Sequence, residues 1–277
     1  MSKSEHEVAG RSIEGDGAPL TKAELVAALR VLGVRAGATM IVHSSLGALG
    51  WIPGGAQAVV EGLVELVGRD GTLVMPTHSA ELSEPSRWRA PPVPESWWPI
   101  IRASMPAFDP DLTPTRQMGA IVDTFRHLPG VVRSAHPQTS FAAWGRDARA
   151  VTDDHRLGSA LGEHSPLARL YEREAHVLLL GVGHGNNTSL HLAEFRARWP
   201  GKRWHLEGAP IATPEGRRWL TFDEHVWTDD DFADIGAAFA TATGLERIAN
   251  VGTGEARLMP MRALVDFGVQ WIETNRR

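Results

Sequence analysis

Apolar and polar positions in the first eighty residues alternate between a helical and a strand period. Residues 21–34 repeat apolar side chains at helical spacing, and Thr21 with Glu24 has the sequence of a capping box. Three elements are predicted to follow: a buried strand over 38–46, a helix over 54–71 and a strand over 72–79. This β-α-β order predicts an α/β layer with some parallel strands.

Residues 81–115 interrupt this rhythm with many prolines and tryptophans. A connection of that length is typically a lid, a binding loop or disorder, and its tryptophans argue against disorder. The α/β pattern then resumes with a helix over 116–128, a strand over 140–145, a helix over 166–174, a strand over 175–183, a late strand over 217–225 and a helix from about residue 229. No linker is evident, so the sequence predicts one domain over 19–277 after a disordered polar tail over 1–18.

Composition narrows the chemistry and the partners. The chain has no cysteine, which excludes disulfides, thiolate metal ligands and a cysteine nucleophile. A net charge of −5 does not suit nucleic acid and is better matched to a cationic partner. No apolar run approaches the roughly 20 residues of a membrane span, and the polar start lacks the apolar region of a signal peptide. We therefore expect a cytoplasmic protein that binds neither membrane nor nucleic acid.

Residues 178–195 (LLLGVGHGNNTSLHLAEF) indicate a buried strand, a glycine-rich turn and an amphipathic helix. This order is that of a dinucleotide-binding fingerprint, but the glycines fall one residue short of G-x-G-x-x-G. A metal site is also disfavoured, because His184 and His191 lie on either side of the turn and form no H-x-x-x-H pair. The start of the helix still offers free N–H groups to an anion.

The helix after this turn carries the most chemistry. His191 and Glu194 are three residues apart and therefore share one helix face. A histidine on an otherwise apolar face can act as a general base, and it can equally be a core residue hydrogen-bonded to a carbonyl group. The sequence leaves both interpretations open.

Polar residues also end two other predicted strands. His43, Ser44 and Ser45 come at the carboxyl end of the first strand, where α/β proteins bind ligands, although a serine there can simply cap a turn. A serine nucleophile is disfavoured, since the chain has no G-x-S-x-G motif. Asp223 and Glu224 end the late strand and begin an acidic stretch without lysine or arginine.

Several motifs, taken together in their order and spacing, resemble the aminoglycoside 3-N-acetyltransferases. They are VHSSLGALG followed by RDGTLVMPTHS, then RSAHPQTSFAAWG, then GEHSPLARLYE with VLLLGVGHGNNTSLHLAE, and the acidic FDE. The resemblance covers about residues 20–270, and the combination is far more specific than any single motif. The tryptophan-rich segment 81–115 is longer than the substrate loop usual in that family.

The resemblance implies a mixed α/β architecture, the antibiotic N-acetyltransferase fold, in which helices flank a central sheet. This fold differs from that of the small general N-acetyltransferases. The resemblance also implies acetyl-CoA as the donor, no metal, and the 3-amino group of a deoxystreptamine ring as the acceptor. His191 is then expected to be the catalytic base, and Glu224 or its neighbour Asp223 to orient it or hold the sugar. Glu194, on the same helix face, is the alternative orienting group.

Further site residues follow from the resemblance and from the charge of the acceptor. Those expected along the coenzyme path are His43, Ser44, Ser45, Leu46, Ser134 and His136. An aminoglycoside is a polycation, so carboxylates with few basic neighbours are expected to bind it. The residues expected around the substrate are Asp223, Glu81, Glu84, Glu194 and His164.

Direct transfer in a ternary complex is expected, because the chain has no cysteine thiol to carry the acetyl group. Two alternatives stay open. The acceptor could be another small amine, which the unusual segment 81–115 would permit. The protein could instead be a non-catalytic polyamine-binding protein with an acidic cleft.

Overall fold

The computed structural model describes residues 18–79 and 81–277. The predicted disordered tail therefore lies, except for Ala18, outside the described residues. The strands are β1 (Thr39–Ser44), β2 (Thr72–Pro76), β3 (Val132–Arg133), β4 (Phe141–Gly145), β5 (His176–Leu180), β6 (Trp204–Thr213), β7 (Gly216–His225), β8 (Arg247–Val251) and β9 (Gly254–Pro260). Among the described residues they form a seven-stranded mixed sheet of order β3-β4-β2-β1-β5-β9-β8 and a separate β6–β7 hairpin.

The helices begin and end close to where the sequence predicts the earlier ones. They are α1 (Lys22–Leu32), α2 (Gly55–Val67), α3 (Trp98–Ser104), α4 (Gly119–Arg126), α5 (Ala148–Thr152), α6 (Pro166–Glu172), α7 (Leu190–Arg196), α8 (Phe232–Thr243) and α9 (Met261–Asn275). The predicted capping box of Thr21 and Glu24 begins α1, and Gly33 ends it in the left-handed conformation. Helix α4 is shorter at both ends than the helix predicted over 116–128.

Helices cover both faces of the sheet, because its central strands carry apolar side chains on both faces. In β1, Met40 and Val42 pack with α1, α2 and α4, whereas Ile41 packs on the opposite face with residues of α6 to α9. All three side chains are fully buried. The predicted mixed α/β fold, with a central sheet flanked by helices, is confirmed.

The functional edge of the sheet is set by its parallel strands. β1 runs parallel to both β2 and β5, so three carboxyl ends meet at one edge, where His43 and Ser44 lie beside the end of β5. Gly181 follows β5 with a φ of 71°, and an added Cβ there would stand 2.9 Å from the carbonyl oxygen of Ser45. Only glycine tolerates both that φ and that approach. The glycine-rich turn and the segment after β1 are therefore brought side by side.

Residues 81–115 lie on the β6–β7 hairpin. The N–H of Phe108 donates to the carbonyl oxygen of Pro210 at 3.2 Å. The guanidinium of Arg217 donates to the carbonyl oxygen of Met105, just after α3, at 2.6 Å. The segment expected to be a lid or a binding loop is thus attached to the hairpin just after α3 and forms a wall beside it.

Candidate active site

Helix α7 places the pair that the sequence singles out. Nδ1 of His191 lies 2.9 Å from Oε2 of Glu194, one helical turn along. The other carboxylate oxygen, Oε1, accepts from Arg276 at 2.6 Å and from the N–H of Thr228 at 3.0 Å. Glu194 is fully buried, and His191 is 9% exposed. The buried charge is therefore compensated on both oxygens.

This arrangement fixes the tautomer of His191. Burial raises the pKa of Glu194, but hydrogen bonds and charge from His191, Thr228 and Arg276 outweigh it and hold that pKa below its usual value. An ionised carboxylate can only accept, so Nδ1 of His191 carries the proton and Nε2 presents its lone pair. Within residues 18–79 and 81–277, Nε2 makes no hydrogen bond. The carboxylate that orients His191 is thus Glu194 and not Glu224.

Aromatic rings and an ion pair hold this pair from outside the helix. The ring of His191 contacts those of Trp227 and Phe232, with centroid distances of 5.2 and 4.7 Å. Arg276, just past α9, also forms two hydrogen bonds to Asp231, at 2.6 and 2.7 Å. The orientation of His191 therefore depends on three elements that are distant in sequence from α7.

The polar side chains of the glycine-rich turn form hydrogen bonds that stabilise the turn. Nε2 of His184 donates to the buried carboxylate of Glu246 at 2.9 Å, so its ring points away from the start of α7. The side-chain oxygen of Asn187 accepts from the N–H of Ser189 at 3.2 Å. In the described part of the chain, no group of three or more histidine, aspartate or glutamate residues is placed to hold a metal ion.

A cavity of about 330 Å³ lies between the hairpin, residues 81–115 and the edge of the sheet. We call it the hairpin cavity; the residues of its wall that matter here are His78, Arg87, His205, Glu207, Glu224 and Trp227. His191 borders it through Trp227, whose ring touches the imidazole. Burial, and then the charge that His191 carries when it is protonated, lower the pKa of His78 to about 3, so His78 and His191 are electrostatic neighbours.

Glu224 lines the hairpin cavity as a buried carboxyl group. Its oxygens accept from the N–H of His225 at 3.0 Å and of Ala160 at 3.3 Å. Burial raises its pKa to about 7, and the charge of Glu207 adds to this, although the two backbone hydrogen bonds oppose it. Glu224 is therefore close to half ionised at neutral pH, beside the cavity and not beside His191.

Glu207 is a cavity carboxylate that the sequence reasoning missed. It lies on β6 opposite Phe222 and on the same hairpin face as Glu224. Strand β6 includes Gly208 and Pro210, both poor strand formers, so the segment gives no strand signal. Alternate residues of β6 and β7 face the cavity, and this alternation is the only sequence feature that could have indicated Glu207.

Unpaired polar atoms mark the sheet edge next to the glycine-rich turn. Nε2 of His43, Oγ of Ser44 and Oγ of Ser189 are buried and have no hydrogen-bond partner among the described residues. Burial, and then the charge that His191 carries when it is protonated, lower the pKa of His43 to about 3, so the ring of His43 is neutral. Buried polar groups without partners are costly, so these three atoms call for hydrogen bonds to a water molecule or to a ligand. Ser45 and Leu46 follow them, half-buried.

Ser134 and His136 face the interior. Oγ of Ser134 bonds Nδ1 of His155 at 2.9 Å and accepts from the N–H of Phe141. Nδ1 of His136 accepts from the N–H of Thr139 at 3.2 Å. Both side chains hold the loop before β4, and their contact with a coenzyme stays a prediction.

The remaining predicted acids and His164 lie outside the wall of the hairpin cavity, and Glu84 alone among them is buried. Glu84 forms an ion pair with Arg102 of α3, and Glu81 is exposed, 3.6 Å from Arg116. Asp223 and His164 are also exposed. As far as the structure is described, none of these four residues lines the cavity. The acidic cleft expected from the sequence is thus reduced to Glu224, with Glu207 added.

Comparison with known proteins finds relatives along nearly the whole chain. The family model described as aminoglycoside 3-N-acetyltransferase matches residues 41–273. The SPbeta prophage-derived aminoglycoside N(3')-acetyltransferase-like protein YokD of Bacillus subtilis (strain 168) is 43% identical over 264 residues, covering 95% of this chain and 96% of YokD. The crystal structure of YokD matches with a TM-score of 0.90 over 94% of this chain and 95% of that chain.

Two solved complexes are also similar. AAC-IIIb in its binary complex with CoASH has a TM-score of 0.82 and 32% identity, covering 93% of this chain and 97% of that chain. AAC-VIa bound to sisomicin has a TM-score of 0.83 and 33% identity, covering 93% and 98%. No helix in the described part of this chain is long and apolar enough to cross a membrane. With a family match over most of its length and relatives above 30% identity, the chain belongs to the aminoglycoside 3-N-acetyltransferase family.

Proposed function

We propose that this protein transfers the acetyl group of acetyl-CoA directly to the 3-amino group of a deoxystreptamine aminoglycoside, with His191 as general base. The observation that carries the proposal is the His191–Glu194 pair, in which Glu194 fixes the proton on Nδ1 and leaves Nε2 free. A base must hold a lone pair toward the proton it removes, and this pair presents one beside the hairpin cavity.

The donor side rests on the fit between coenzyme chemistry and the sheet edge. The similar protein AAC-IIIb binds CoASH, and pantetheine offers amide groups that both donate and accept. The unpaired Nε2 of His43 and the hydroxyls of Ser44 and Ser189 would pair with such groups on a local opening of this edge, because all three atoms are buried. Acetyl-CoA supplies a thioester, whose carbonyl carbon accepts a nucleophile.

The acceptor side rests on the hairpin cavity. The similar protein AAC-VIa binds sisomicin, a polyamine sugar. Glu207 and Glu224 place carboxyl groups in the cavity wall of this chain, where an ammonium group of the acceptor can bind. Trp227 lines the same cavity, and its ring contacts that of His191.

In the proposed mechanism one proton moves for each acetyl transfer, first from the amine nitrogen to His191 and then from His191 to the CoA sulfur. The lone pair of the neutral amine forms the N–C bond with the thioester carbonyl carbon, and Nε2 of His191 takes the proton that this nitrogen loses as it becomes an amide. The C–S bond breaks, and the CoA sulfur leaves with the electron pair and receives the proton back from the imidazolium. Glu194 stabilises that imidazolium at 2.9 Å, and no covalent acetyl-enzyme is needed, consistent with a chain that has no cysteine.

Release of CoA tests this proposal directly. With acetyl-CoA and an aminoglycoside such as sisomicin, a thiol reagent detects only free CoA, because the protein has no thiol of its own. We expect His191→Ala to lower turnover by about 10²–10⁴-fold. The matched control is His127→Ala, which removes an exposed histidine on α4 that contacts only the carbonyl oxygen of Asp123. Near wild-type turnover by His191→Ala would contradict the assignment of the base.

A second candidate acceptor is a smaller amine. Arg87 lies in the hairpin cavity near Glu207, so the cavity carries less negative charge than a polycation would favour. The same CoA-release assay, run with mono- and diamines beside the aminoglycosides, separates the two by their kcat/KM values. Binding of polyamines without CoA release would instead support a non-catalytic role.

A further inference from the structure

One cationic side chain lies where the acceptor is expected to bind. Arg87 ends a short 3₁₀ helix over Pro85–Arg87 and lines the hairpin cavity. Its Nε stands 3.6 Å from Oε2 of Glu207. The segment 81–115 therefore carries a positive charge into a site that is proposed to receive ammonium groups.

The two oxygens of Glu207 are not equivalent. Oε1 accepts from the N–H of Glu84 at 2.7 Å and from the N–H of Gly208 at 2.8 Å, so backbone donors engage it. Oε2 faces Nε of Arg87 at 3.6 Å and Nε2 of His205 at 3.4 Å. Oε2 is thus the oxygen to which a cation in the cavity can bind.

Arg87 is the cation that balances Glu207. Burial lowers the pKa of His205, and the charge of Arg87 lowers it further, which outweighs the opposite effect of Glu207. His205 is therefore neutral at neutral pH. Among the described residues, the only ion pair that Glu207 makes is thus the one with Arg87, and its 3.4 Å contact with His205 is with a neutral ring.

The pair between Arg87 and Glu207 is loose. Its distance of 3.6 Å exceeds the roughly 2.7–2.9 Å of a charge-assisted hydrogen bond, and the side chain of Arg87 is 42% exposed. Arg87 can therefore turn toward solvent when another cation takes its place at Oε2 of Glu207. By contrast, the side chain of Glu207 is 11% exposed and stays in the cavity wall.

We propose that Arg87 is a specificity-determining residue that competes with the acceptor's ammonium group for Oε2 of Glu207. This inference rests on the proposed function. An acceptor must displace Arg87 from Glu207, so the residue weakens the binding of polycationic aminoglycosides relative to acceptors with fewer charges. The distinctive 81–115 segment thereby adjusts the acceptor range without touching the His191–Glu194 pair.

Three variants separate charge, shape and position. Arg87→Gln removes the competing charge, and Arg87→Lys keeps it. Arg89→Gln is the matched control, because Arg89 is exposed on the same segment and its guanidinium contacts only the carbonyl oxygens of Ser86 and Trp88. Thermal melting should show that all three variants fold.

The steady-state kinetics with sisomicin carry the test. We expect Arg87→Gln to lower the KM for sisomicin about fivefold, with the change in KM rather than kcat, and to make KM rise more steeply with added salt. Arg87→Lys and Arg89→Gln should keep the wild-type KM. The lowering of KM by Arg87→Gln should be smaller for a monoamine acceptor, which brings one charge instead of several.

A KM that is unchanged or higher in Arg87→Gln, or an equal fall in Arg89→Gln, would overturn the role of Arg87. If the wild-type protein acetylates no aminoglycoside, the proposed function fails separately. Calorimetric titration of sisomicin into the wild-type protein and Arg87→Gln then decides the inference. Tighter binding of sisomicin by Arg87→Gln than by the wild-type protein supports the inference. Equal or weaker binding by the variant, or no binding by either protein, refutes it.

Discussion

The substitution Glu194→Gln tests the central pair with little change in shape. Oε1 of Glu194 accepts from Arg276 and from the N–H of Thr228, so the amide oxygen of a glutamine must occupy that place. The amide NH₂ then replaces Oε2 and faces Nδ1 of His191. As an NH₂ group only donates, Nδ1 must accept and the proton moves to Nε2. The histidine keeps its position and loses its lone pair toward the amine.

The expected loss of kcat follows from the free energy needed to turn around the amide that Glu194→Gln introduces, because only the turned amide restores the lone pair on Nε2 of His191. Turning the amide around would return the proton to Nδ1, but it would set the NH₂ against the two donors at Oε1. Two hydrogen bonds would be lost, at about 1.5–2 kcal/mol each, for a total of about 3–4 kcal/mol. At about 1.4 kcal/mol per factor of ten, the competent tautomer falls to about 10⁻²–10⁻³ of the population. We therefore expect kcat to fall by about 10²–10³-fold.

The CoA-release assay with saturating acetyl-CoA and sisomicin measures kcat and KM for this variant. KM for sisomicin should change little, because Glu194 is buried and faces His191 and Arg276 rather than the hairpin cavity. The matched control is Glu163→Gln, which removes an exposed carboxylate that binds Arg196 on the same helix. A kcat for Glu194→Gln within about tenfold of the wild-type value, in a folded protein, would refute the tautomer argument.

Three further predictions concern pH and the glycine-rich turn. Because burial raises the pKa of Glu224 to about 7, its charge is lost as the pH falls through 7. The KM for sisomicin should therefore rise on acidification, and Glu224→Gln should show a higher KM without this rise in kinetics at about pH 6 to 8. Burial lowers the pKa to about 3 in each of three histidines, His43, His78 and His155. Their unfolded pKa is about 6.5, so the unfolded state binds more protons between pH 6.5 and 3, and each histidine costs about 2 kcal/mol of stability at pH 5. Protonation of Glu224, with its folded pKa raised, offsets about 2 kcal/mol. Burial also lowers the pKa values of His136 and His225, so urea unfolding at pH 7.5 and 5 should show a net loss of stability at the lower pH. Finally, Gly181→Ala should lower the unfolding free energy by about 1–3 kcal/mol, since φ is 71° and a Cβ would press on Ser45, whereas Gly183→Ala, with nothing within 4 Å of its Cβ, should change it by much less.

The parts of the fold that are local in sequence could be predicted. The capping box of α1, the buried strands β1, β2 and β5, and the strand–turn–helix around His191 each follow from spacing within one segment. The fold class then follows from their order. Such features depend on backbone geometry and burial, which the apolar pattern records directly.

The site's partners could not be predicted, because each joins residues far apart in the chain. Glu207 receives the N–H of Glu84 across 123 positions, and Arg276 reaches Glu194 across 82 positions. A sequence pattern shows that an acid is available but not which neighbour compensates it. This is why the choice between Glu224 and Glu194 as the group that orients His191 stayed open until both carboxyl groups could be placed.

The spacing of His191 and Glu194 is necessary for the proposed catalytic pair but not sufficient. On an exposed helix, an i,i+3 contact of this kind contributes only a few tenths of a kcal/mol, and the imidazole would turn freely. Burial of Glu194 makes the contact specific, and a buried carboxylate is stable only with cationic or N–H partners. Arg276 and Thr228 supply them from the far end of the chain and from the loop before α8. The lone pair on Nε2 of His191 is therefore a property of the assembled fold, in which the segment after α9 is as necessary as the helix that carries the histidine.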